Sequence, residues 1–541
     1  MQTEETDIVV VGAGPAGSAI AARLSERADL KVDVLEAGPN DLHPYIHIPA
    51  GFIKMIFNEN YIWPFKTEPT EWTAGRPINV LQGRVIGGSS SINGLIYNRG
   101  QAADFDQWAQ MGNRGWDYAS VLPYFRKSET FAGSGEREFH GTEGPLKISE
   151  FDWSHEVCDA FIAGAAELGI PRNRDYNGRT QEGVGYFQRI IHGRRRLSAA
   201  RAYLKPSLRR SNLRLRTRAV VKRLLFDGRK AIGVEYLTGG GNGETRRLMA
   251  RLHVVLSAGT VNTARLLQIS GLGPSEILGE LGVPVLQEMP GVGRNLRDHY
   301  SVRVVVRVKN VRTINELSRG LGLVGQVGRW VLGKPSIITL SPSLVHIFAR
   351  SRPELDLPDL QGVFTPASYK AGFVSLLDDF PGMTCGFWQH KPDSTGVVEA
   401  MSTDPMVPPR IQPNYLKEKS DRDALVTGIK LARKLVRTTA LSRYFDHEQL
   451  PGEGVQSDDE ILDFAKRYGV SSWHLVGTAR MGAADDPNAV VDPRLVVQGI
   501  NNLRVADASV MPTSPSANTF ATSVMIGERA ADFIKEDISV H

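Results

Sequence analysis

Three glycines near the N-terminus have the spacing of a site that binds a dinucleotide. Gly12, Gly14 and Gly17 form a G-x-G-x-x-G turn between an apolar run, Ile8 to Val11, and an apolar segment with helical periodicity. Such glycines allow a tight turn, a close approach of a pyrophosphate and close packing of helix on strand. The N–H groups at the start of the helix would bind the pyrophosphate. The pattern predicts a strand–turn–helix unit that holds a dinucleotide.

Glu36 completes this unit, because it ends the next apolar run, Val32 to Leu35. An acidic residue about 20 positions beyond the last glycine accepts hydrogen bonds from the ribose hydroxyls. Its charge would also repel a 2′-phosphate, which argues against NADP. The motif alone leaves both FAD and NAD open.

A second glycine-rich turn follows at Gly87 and Gly88, before three serines and an apolar run from Ile92. One interpretation is a second turn-to-helix junction, whose N–H groups face another part of the same cofactor. The alternative is a serine that caps an ordinary helix.

Histidine can move a proton near neutral pH, because imidazole has an ordinary pKa of about 6.5, and His474 is one of the 12 histidines of this chain. A single histidine without further context is more often structural than catalytic. Its role therefore depends on the residues around it.

Composition indicates an ordinary enzyme with two or more domains. The chain has 541 residues, 64 basic against 59 acidic residues, and two cysteines without metal spacing, Cys158 and Cys385. We therefore expect no disulfide scaffold and no metal site. The basic run Arg194 to Arg196 lacks interleaved aromatics and indicates a solvated face or an anionic contact, not nucleic acid. The N-terminus shows no signal peptide and no apolar run is long enough to span a membrane, so a cytoplasmic protein is expected.

Several longer blocks resemble the glucose-methanol-choline (GMC) family of FAD-dependent oxidoreductases. They are the N-terminal unit, Gly83 to Tyr97, Gly259 to Gly273, Pro290 to His299, and the C-terminal blocks that include Ser471 to Gly482. The motif spelling is nearest to bacterial choline, alkanol and sorbose dehydrogenase-type members. The resemblance implies FAD in preference to NAD.

The resemblance also implies roles for single residues. His474 matches the family's catalytic histidine, and Asn518 matches its second active-site position. Some members attach FAD covalently through a histidine where this chain has Ile92, so non-covalent FAD is implied here. Asp507 matches a contact to the ribityl and pyrophosphate portion, with a helix N-cap as its alternative role. The implied FAD-binding residues are Gly12, Gly14, Ala16, Gly17, Glu36, Arg84, Gly87, Gly88, Ser91, Asn93, Gly94, Val221, Ala258, Asp507, Ala508, Asn518 and Thr519.

The implied fold is α/β, with a Rossmann-like FAD-binding domain interleaved in sequence with an α+β substrate domain on an antiparallel sheet. The expected FAD-binding segments are 1–155, 200–300 and 468–541, and the expected substrate segments are 156–199 and 301–467. A helix over Asp421 to Val436 and a strand over Val302 to Val308 are predicted in the latter. Aromatic candidates for the substrate pocket, most of which are expected in the core, are Phe364, Tyr369, Phe373, Phe387 and Trp388.

The implied reaction is oxidation of a primary or secondary alcohol by an alcohol oxidase or dehydrogenase. His474 would take the hydroxyl proton while hydride passes to the flavin N5 atom, and oxygen or a quinone-like molecule would accept the electrons. The alternative is a non-redox member, such as a cyanohydrin lyase or a flavin photodecarboxylase. The sequence fixes neither the alcohol nor the oligomeric state.

The segment 320–348 is apolar but interrupted by Gly, Arg, Lys and Pro. It allows three interpretations, which are a lid or pocket wall, a peripheral membrane contact, and ordinary core.

Overall fold

The structure contains two large sheets of seven strands each within the residues it describes, which are 2–373 and 376–539 of this computed structural model. In chain order their strands are β1 Thr3–Val11, β2 Val32–Leu35, β3 Gly183–Tyr186, β4 Leu213–Arg216, β5 Val220–Asp227, β6 Lys230–Leu237, β7 Thr245–Leu256, β8 Tyr300–Val308, β9 Val345–Ala349, β10 Leu360–Thr365, β11 Gly382–Gln389, β12 Phe445–Leu450, β13 Val470–Ser471 and β14 Leu503–Val505.

Helices surround both sheets. Those of eight residues or more are α1 Pro15–Leu24, α2 Ala102–Gln110, α3 Tyr118–Ser128, α4 Glu156–Glu167, α5 Thr260–Gln268, α6 Gly320–Val331, α7 Lys419–Val436, α8 Asp458–Tyr468 and α9 Phe520–Ser539. Shorter α-helical turns are Pro44–His47, Phe52–Met55, Lys205–Ser207, Ser275–Glu280 and Ile314–Leu317. Short strands pair as Ile62–Trp63 with Gln82–Gly83, Glu129–Phe131 with Leu146–Ile148, Ile191–His192 with Arg195–Arg196, Leu272–Gly273 with Gln287–Glu288, and Val397–Glu399 with Arg410–Gln412.

The first sheet follows the order β4-β2-β1-β7-β6-β5, with β14 also paired to β7. Strands β1, β2, β4, β7 and β14 are parallel, whereas β5 and β6 form an antiparallel hairpin. The inner residues of β1 are apolar and fully buried, as expected for a strand covered on both faces. The second half of β7 pairs with β14 and its first half with β6. The carboxyl ends of β1, β2, β7 and β14 therefore meet at one edge.

The second sheet is antiparallel and follows the order β12-β8-β11-β10-β9-β3, with β13 paired to β8. Helix α7 covers one face of it against β8 and β11. Cys158 and Cys385 are both buried and unpaired in its core. The predicted fold class is confirmed, since a mostly parallel sheet is interleaved along the chain with an antiparallel one. The boundaries of the five predicted segments stay a prediction.

The local predictions had different outcomes. The helix expected over Asp421 to Val436 and the strand expected over Val302 to Val308 are confirmed by α7 and β8. The helix expected after the second glycine turn is wrong. Only a 3₁₀ turn, Gly88–Ser91, forms there. Leu95 adopts a positive φ of 68° and the chain then becomes extended, with Tyr97 N donating to Gln188 O.

Segment 320–348 divides into two parts. No residue of α6 is buried, so the interpretation as ordinary core is wrong for Gly320–Val331. The following residues are mostly buried, and Pro342 and Ser343 line the cavity described below. The pocket-wall interpretation therefore holds for this second part, whereas a lid and a membrane contact both stay predictions for α6.

Packing at Gly17 gives a prediction for stability. A Cβ atom at Gly17 would lie 2.0 Å from Gly12 O, so Gly17→Ala must push α1 away from the turn. We expect destabilisation by about 1–3 kcal/mol and a midpoint of thermal unfolding lower by a few degrees. Gly325→Ala is the matched control, because its Cβ would meet nothing within 4 Å. Equal unfolding midpoints for the two variants would contradict the close packing.

Candidate active site

A cavity of about 320 Å³ lies between the two sheets. The first sheet contributes the turns that follow its parallel strands, and the second contributes side chains of β8, β10, β11 and β13. The predicted site residues that line it are Gly12, Gly14, Ala16, Glu36, Gly88, Asn93, Gly94, Val221, Ala258, His474, Asp507, Ala508, Asn518 and Thr519.

Four predicted FAD-binding residues lie outside this lining and hold the turns in place instead. Gly17 packs on Gly12, as described above. Gly87 N donates to Ala13 O (2.7 Å), Ser91 Oγ donates to Ile86 O (2.7 Å), and Arg84 Nη2 donates to Gly240 O (2.5 Å). Direct contact of these four residues with the cofactor stays a prediction.

The two glycine turns meet each other at the cavity. A Cβ atom at Gly88 would lie 2.8 Å from Gly14 Cα, whereas one at Gly14 would have only Ser257 O nearby, at 3.9 Å. Two backbone turns thus form one cradle with open space in front of Gly14. This geometry fits a pyrophosphate that approaches the start of α1.

Glu36 fits the ribose of the same cofactor. Its carboxylate is buried and accepts hydrogen bonds from Ala13 N (2.9 Å) and Gly38 N (2.8 Å), one on each oxygen. A carboxylate can accept about four hydrogen bonds, so two sites remain for ribose hydroxyls. Burial raises the pKa of Glu36 to about 7, and the two backbone donors oppose this rise.

Asp507 joins the last strand to the cavity. Its Oδ1 accepts from Ser509 N (2.8 Å) and caps the turn Ala508–Val510, which was the alternative role considered for it. Its Oδ2 accepts from Gly259 N (2.9 Å) and Thr263 Oγ1 (2.7 Å), at the start of α5. The carboxylate therefore ties two turns together and also lines the cavity. Its contact to FAD stays a prediction.

The second glycine turn is held by an arginine that the sequence analysis assigned to a solvated or anion-binding run. Arg196 is 1% exposed, and its Nη1 donates to Ser90 O (3.1 Å) and Asn93 Oδ1 (2.7 Å). Burial lowers the pKa of Arg196 to about 9. Ile92 in the same turn lines the cavity and carries no nucleophile, so FAD cannot be attached through this position.

A chain of hydrogen bonds fixes the proton positions around His474. His299 Nε2 lies 2.7 Å from His390 O, and a carbonyl oxygen can only accept, so this nitrogen carries the proton. Neutral His299 then accepts at Nδ1 from His474 Nδ1, 3.0 Å away. His474 Nε2 is therefore unprotonated, and its lone pair accepts a hydrogen bond from Asn518 Nδ2 (2.9 Å). The geometry therefore presents His474 as a base at Nε2.

The backbone holds His474 in place. Asp298 Oδ1 accepts from His474 N (2.7 Å), while its Oδ2 accepts from the hydroxyls of Ser471 and Tyr415. Trp473 adopts a positive φ of 61°, a strained conformation for a bulky residue, and Trp473 N donates to Ser471 Oγ (2.8 Å). The next residue is His474, whose side chain lines the cavity.

Burial makes the neutral form of both histidines stable. It lowers the pKa of His299 to about 4 and, together with the neighbouring His299, it lowers the pKa of His474 well below its ordinary value. His474 is therefore already unprotonated at neutral pH. The ordinary pKa of about 6.5 assumed from the sequence is wrong for this site.

Sequence reasoning missed His299, His390 and Gln361. Gln361 Nε2 donates to Asn518 Oδ1 (3.3 Å) and so orients the amide towards His474. Of the five aromatic candidates only Trp388 lines the cavity, and its ring lies 6.1 Å from that of His474. The block Pro290 to His299, which resembles the GMC family, ends in this histidine and was the signal in the sequence that could have identified His299.

The fold and the cavity define an α/β protein in which a dinucleotide-binding sheet faces a substrate-binding antiparallel sheet. The pattern of GMC oxidoreductases matches residues 6–301 with its N-terminal part and residues 392–527 with its C-terminal part. The chain therefore belongs to the GMC oxidoreductase family.

Named relatives agree with this assignment. The chain is 38% identical to human mitochondrial choline dehydrogenase over 98% of this chain and 90% of the relative. It is also 38% identical to an oxygen-dependent choline dehydrogenase of Brucella anthropi, over 98% and 95%. Among solved structures it resembles pyridoxine 4-oxidase from Mesorbium loti (31% identity, TM-score 0.88, 99% of both chains) and Aspergillus oryzae RIB40 formate oxidase (26%, 0.91, 100% of both). The protein is an FAD-dependent oxidoreductase that acts on alcohols.

The hydrogen-bond chain gives a prediction for His299 as a positioning residue. His299→Ala removes the acceptor that fixes the proton on His474 Nδ1, so flavin reduction by an alcohol should slow by at least about tenfold. His299→Asn keeps an acceptor near the Nδ1 position and should recover most of the rate.

The pH profile distinguishes positioning from a general structural effect. In the wild type His474 is neutral down to a pH below 6.5, so the rate of flavin reduction should be flat from about pH 6.5 to 8 and fall only in acid. In His299→Ala the pKa of His474 should rise, because solvent enters and burial is reduced. An unchanged rate and an unchanged acid limb in stopped-flow experiments would reject the role of His299.

Proposed function

We propose that His474 is the base and Asn518 the hydrogen-bonding partner in the oxidation of an alcohol to an aldehyde or ketone. The support is the unprotonated Nε2 of His474, which lies in the cavity and accepts a hydrogen bond from Asn518 Nδ2 (2.9 Å). A substrate hydroxyl that replaces the amide as the donor would place its proton on this nitrogen. The amide donates to the same region in which a substrate oxygen must lie, and it carries no charge that could titrate.

The chemistry divides between the protein and its cofactor. His474 Nε2 accepts the proton of the substrate hydroxyl, which leaves the oxygen free to form a carbonyl. FAD, held by the glycine turns and Glu36, would supply the acceptor for the hydride of the carbinol carbon. Trp388 and the side chains of β8 and β10 surround the substrate and exclude water from this reaction.

Oxygen is the electron acceptor that the comparisons support best. The Brucella relative is named an oxygen-dependent enzyme, and two solved neighbours are named oxidases. All the relatives described above are named as oxidoreductases, so the redox function is favoured over a lyase or a photodecarboxylase.

A cytoplasmic location stays a prediction.

Anaerobic reduction tests the redox function and the base together. A panel of primary alcohols mixed with the wild type should bleach the visible absorption of the flavin. His474→Ala should retain FAD but reduce it about 10² to 10⁴ times more slowly, the usual effect of losing a positioned acid–base group. His447→Ala is the matched control, because His447 is exposed on β12, away from the cavity. A His474→Ala variant that reduces as fast as His447→Ala would reject His474.

We also propose that α6 lies on the surface of an anionic membrane. Leu321, Val324, Val331 and Leu332 are between 66% and 89% exposed. Residues 317–353 contain no Asp or Glu, whereas Arg319, Arg329 and Lys334 are exposed beside the helix. Apolar side chains with a basic rim suit an interfacial helix on anionic lipid. No helix among the described residues is long and apolar enough to cross a bilayer.

Vesicle sedimentation tests this surface. The protein should bind vesicles of phosphatidylglycerol and phosphatidylcholine more tightly than vesicles of phosphatidylcholine alone, and salt should weaken the binding. Val324→Glu should reduce binding roughly tenfold, since it removes one apolar side chain that the proposed contact would bury in the lipid. Leu357→Glu is the control, because Leu357 is an exposed leucine outside α6. Equal loss in both variants, or no preference for anionic lipid, would contradict the proposal.

A further inference from the structure

Arg303 places a positive charge at the substrate end of the cavity. It lies on β8 two residues after Ser301, so both side chains point to the same face and both line the cavity. Opposite Arg303 in the sheet is Gly386, and a Cβ atom there would lie 2.9 Å from Arg303 Cγ. The glycine therefore leaves room for the arginine to cross the strand.

The distance from Arg303 to the reacting groups follows from β11. Gly386 and Trp388 are two residues apart on one face of this strand, which is about 7 Å. The ring of Trp388 lies 6.1 Å from that of His474. His299, which contacts His474, precedes Arg303 by four residues of nearly extended chain, or about 13 Å, and this separation suits a small substrate.

Arg303 has no carboxylate to neutralise it among the described residues. Its Nη1 donates to Phe373 O (3.0 Å), and its guanidinium lies 5.4 Å from the centre of the Tyr369 ring. These are neutral partners, and Arg303 makes no other side-chain hydrogen bond and no salt bridge among the described residues. Arg303 is half-buried, and a half-buried guanidinium that faces no anion has lost part of its hydration, so an anion supplied by the substrate would stabilise it.

The other charged groups of the cavity belong to the cofactor end. Glu36 and Asp507 accept backbone hydrogen bonds as described above. Arg265 is satisfied by Asn262 Oδ1 (2.7 Å) and Val407 O (3.0 Å). Among the described lining residues, the fixed charge facing the substrate is therefore the single cation of Arg303.

We propose that the substrate is an alcohol that carries a carboxylate, which Arg303 binds at the end remote from the hydroxyl. This inference rests on the proposed alcohol oxidation and names its substrate class. Guanidinium and carboxylate match in geometry and can form two parallel hydrogen bonds. The same charge repels a quaternary ammonium, so the cavity disfavours choline although relatives at 38% identity are named choline dehydrogenases.

Three alcohols of different charge provide the kinetic test on the holoenzyme. The probes are 4-(hydroxymethyl)benzoate, benzyl alcohol and choline, and the measurement is the apparent second-order rate constant of anaerobic flavin reduction. The wild type should prefer the anion to the neutral alcohol and the neutral alcohol to the cation. Arg303→Gln should lower the ratio of the anionic to the neutral rate constant by roughly tenfold to hundredfold.

Two further variants control for structural effects. Arg303→Lys keeps the charge and should retain part of the preference. Arg307→Gln lies on the same strand but outside the cavity lining, and should keep the wild-type ratio. A ratio that is unchanged in Arg303→Gln, or that falls equally in Arg307→Gln, overturns the assignment.

A binding measurement separates this inference from the proposed function. 4-Methylbenzoate has no hydroxyl, and its binding can be followed by perturbation of the flavin spectrum without turnover. Its Kd should rise roughly tenfold to hundredfold in Arg303→Gln. Tighter binding of 4-methylphenyl phosphate than of 4-methylbenzoate overturns the choice of carboxylate. Reduction by benzyl alcohol without any anionic preference rejects this inference alone, whereas flavin that no alcohol reduces rejects the alcohol oxidation itself.

Discussion

The parallel pairing of β1 with β7 is the constraint on which the cofactor site depends. The two strands pair from Thr3–Arg247 to Val11–Leu256, and β2 and β14 extend the same edge. Parallel strands end together at one edge of the sheet. The turn at Gly12 and the carboxylate of Glu36, which lie close in sequence, therefore meet the carboxylate of Asp507 from the far end of the chain. Since β7 exchanges an antiparallel partner for a parallel one along its length, one strand supports both the hairpin and the C-terminal segment that carries Asp507.

Hydrogen-bond direction is a second constraint, and it acts on protons. The carbonyl of His390 can only accept, which determines the tautomer of His299 and then that of His474. His474 Nε2 is thereby left unprotonated, although no charged group contacts the imidazole ring. Both histidines are buried in the neutral form and have lost their contact with water. The hydrogen bonds that their ring nitrogens make compensate for this loss. This arrangement differs from a histidine oriented by a carboxylate, because Asp298 here holds the backbone of His474 and not its ring.

Local patterns in the sequence predicted the cofactor half well, because its signals are short in range. The turn at Gly12, the carboxylate at Glu36 and the strand–helix periodicity all lie within one segment of the chain. The structure corrected or added the features that depend on contacts between residues far apart in the sequence. Arg196 belongs to a basic run, yet it is buried against a turn about 100 residues earlier. The contact of His299 with His474 spans 175 positions, and no local periodicity encodes it.

The two halves of the cavity are under different physical demands, which explains why family membership does not determine the substrate. A pyrophosphate and a ribose require backbone donors and a carboxylate at fixed positions, so the glycine turns and Glu36 leave little freedom. The substrate end must only place a carbinol carbon near the base, and its fixed charge can change without disturbing the first sheet. One cation on β8, crossing the strand at Gly386, is enough to reverse the preferred charge of the alcohol. Charge at this position of the second sheet is therefore more informative about the substrate than overall sequence identity.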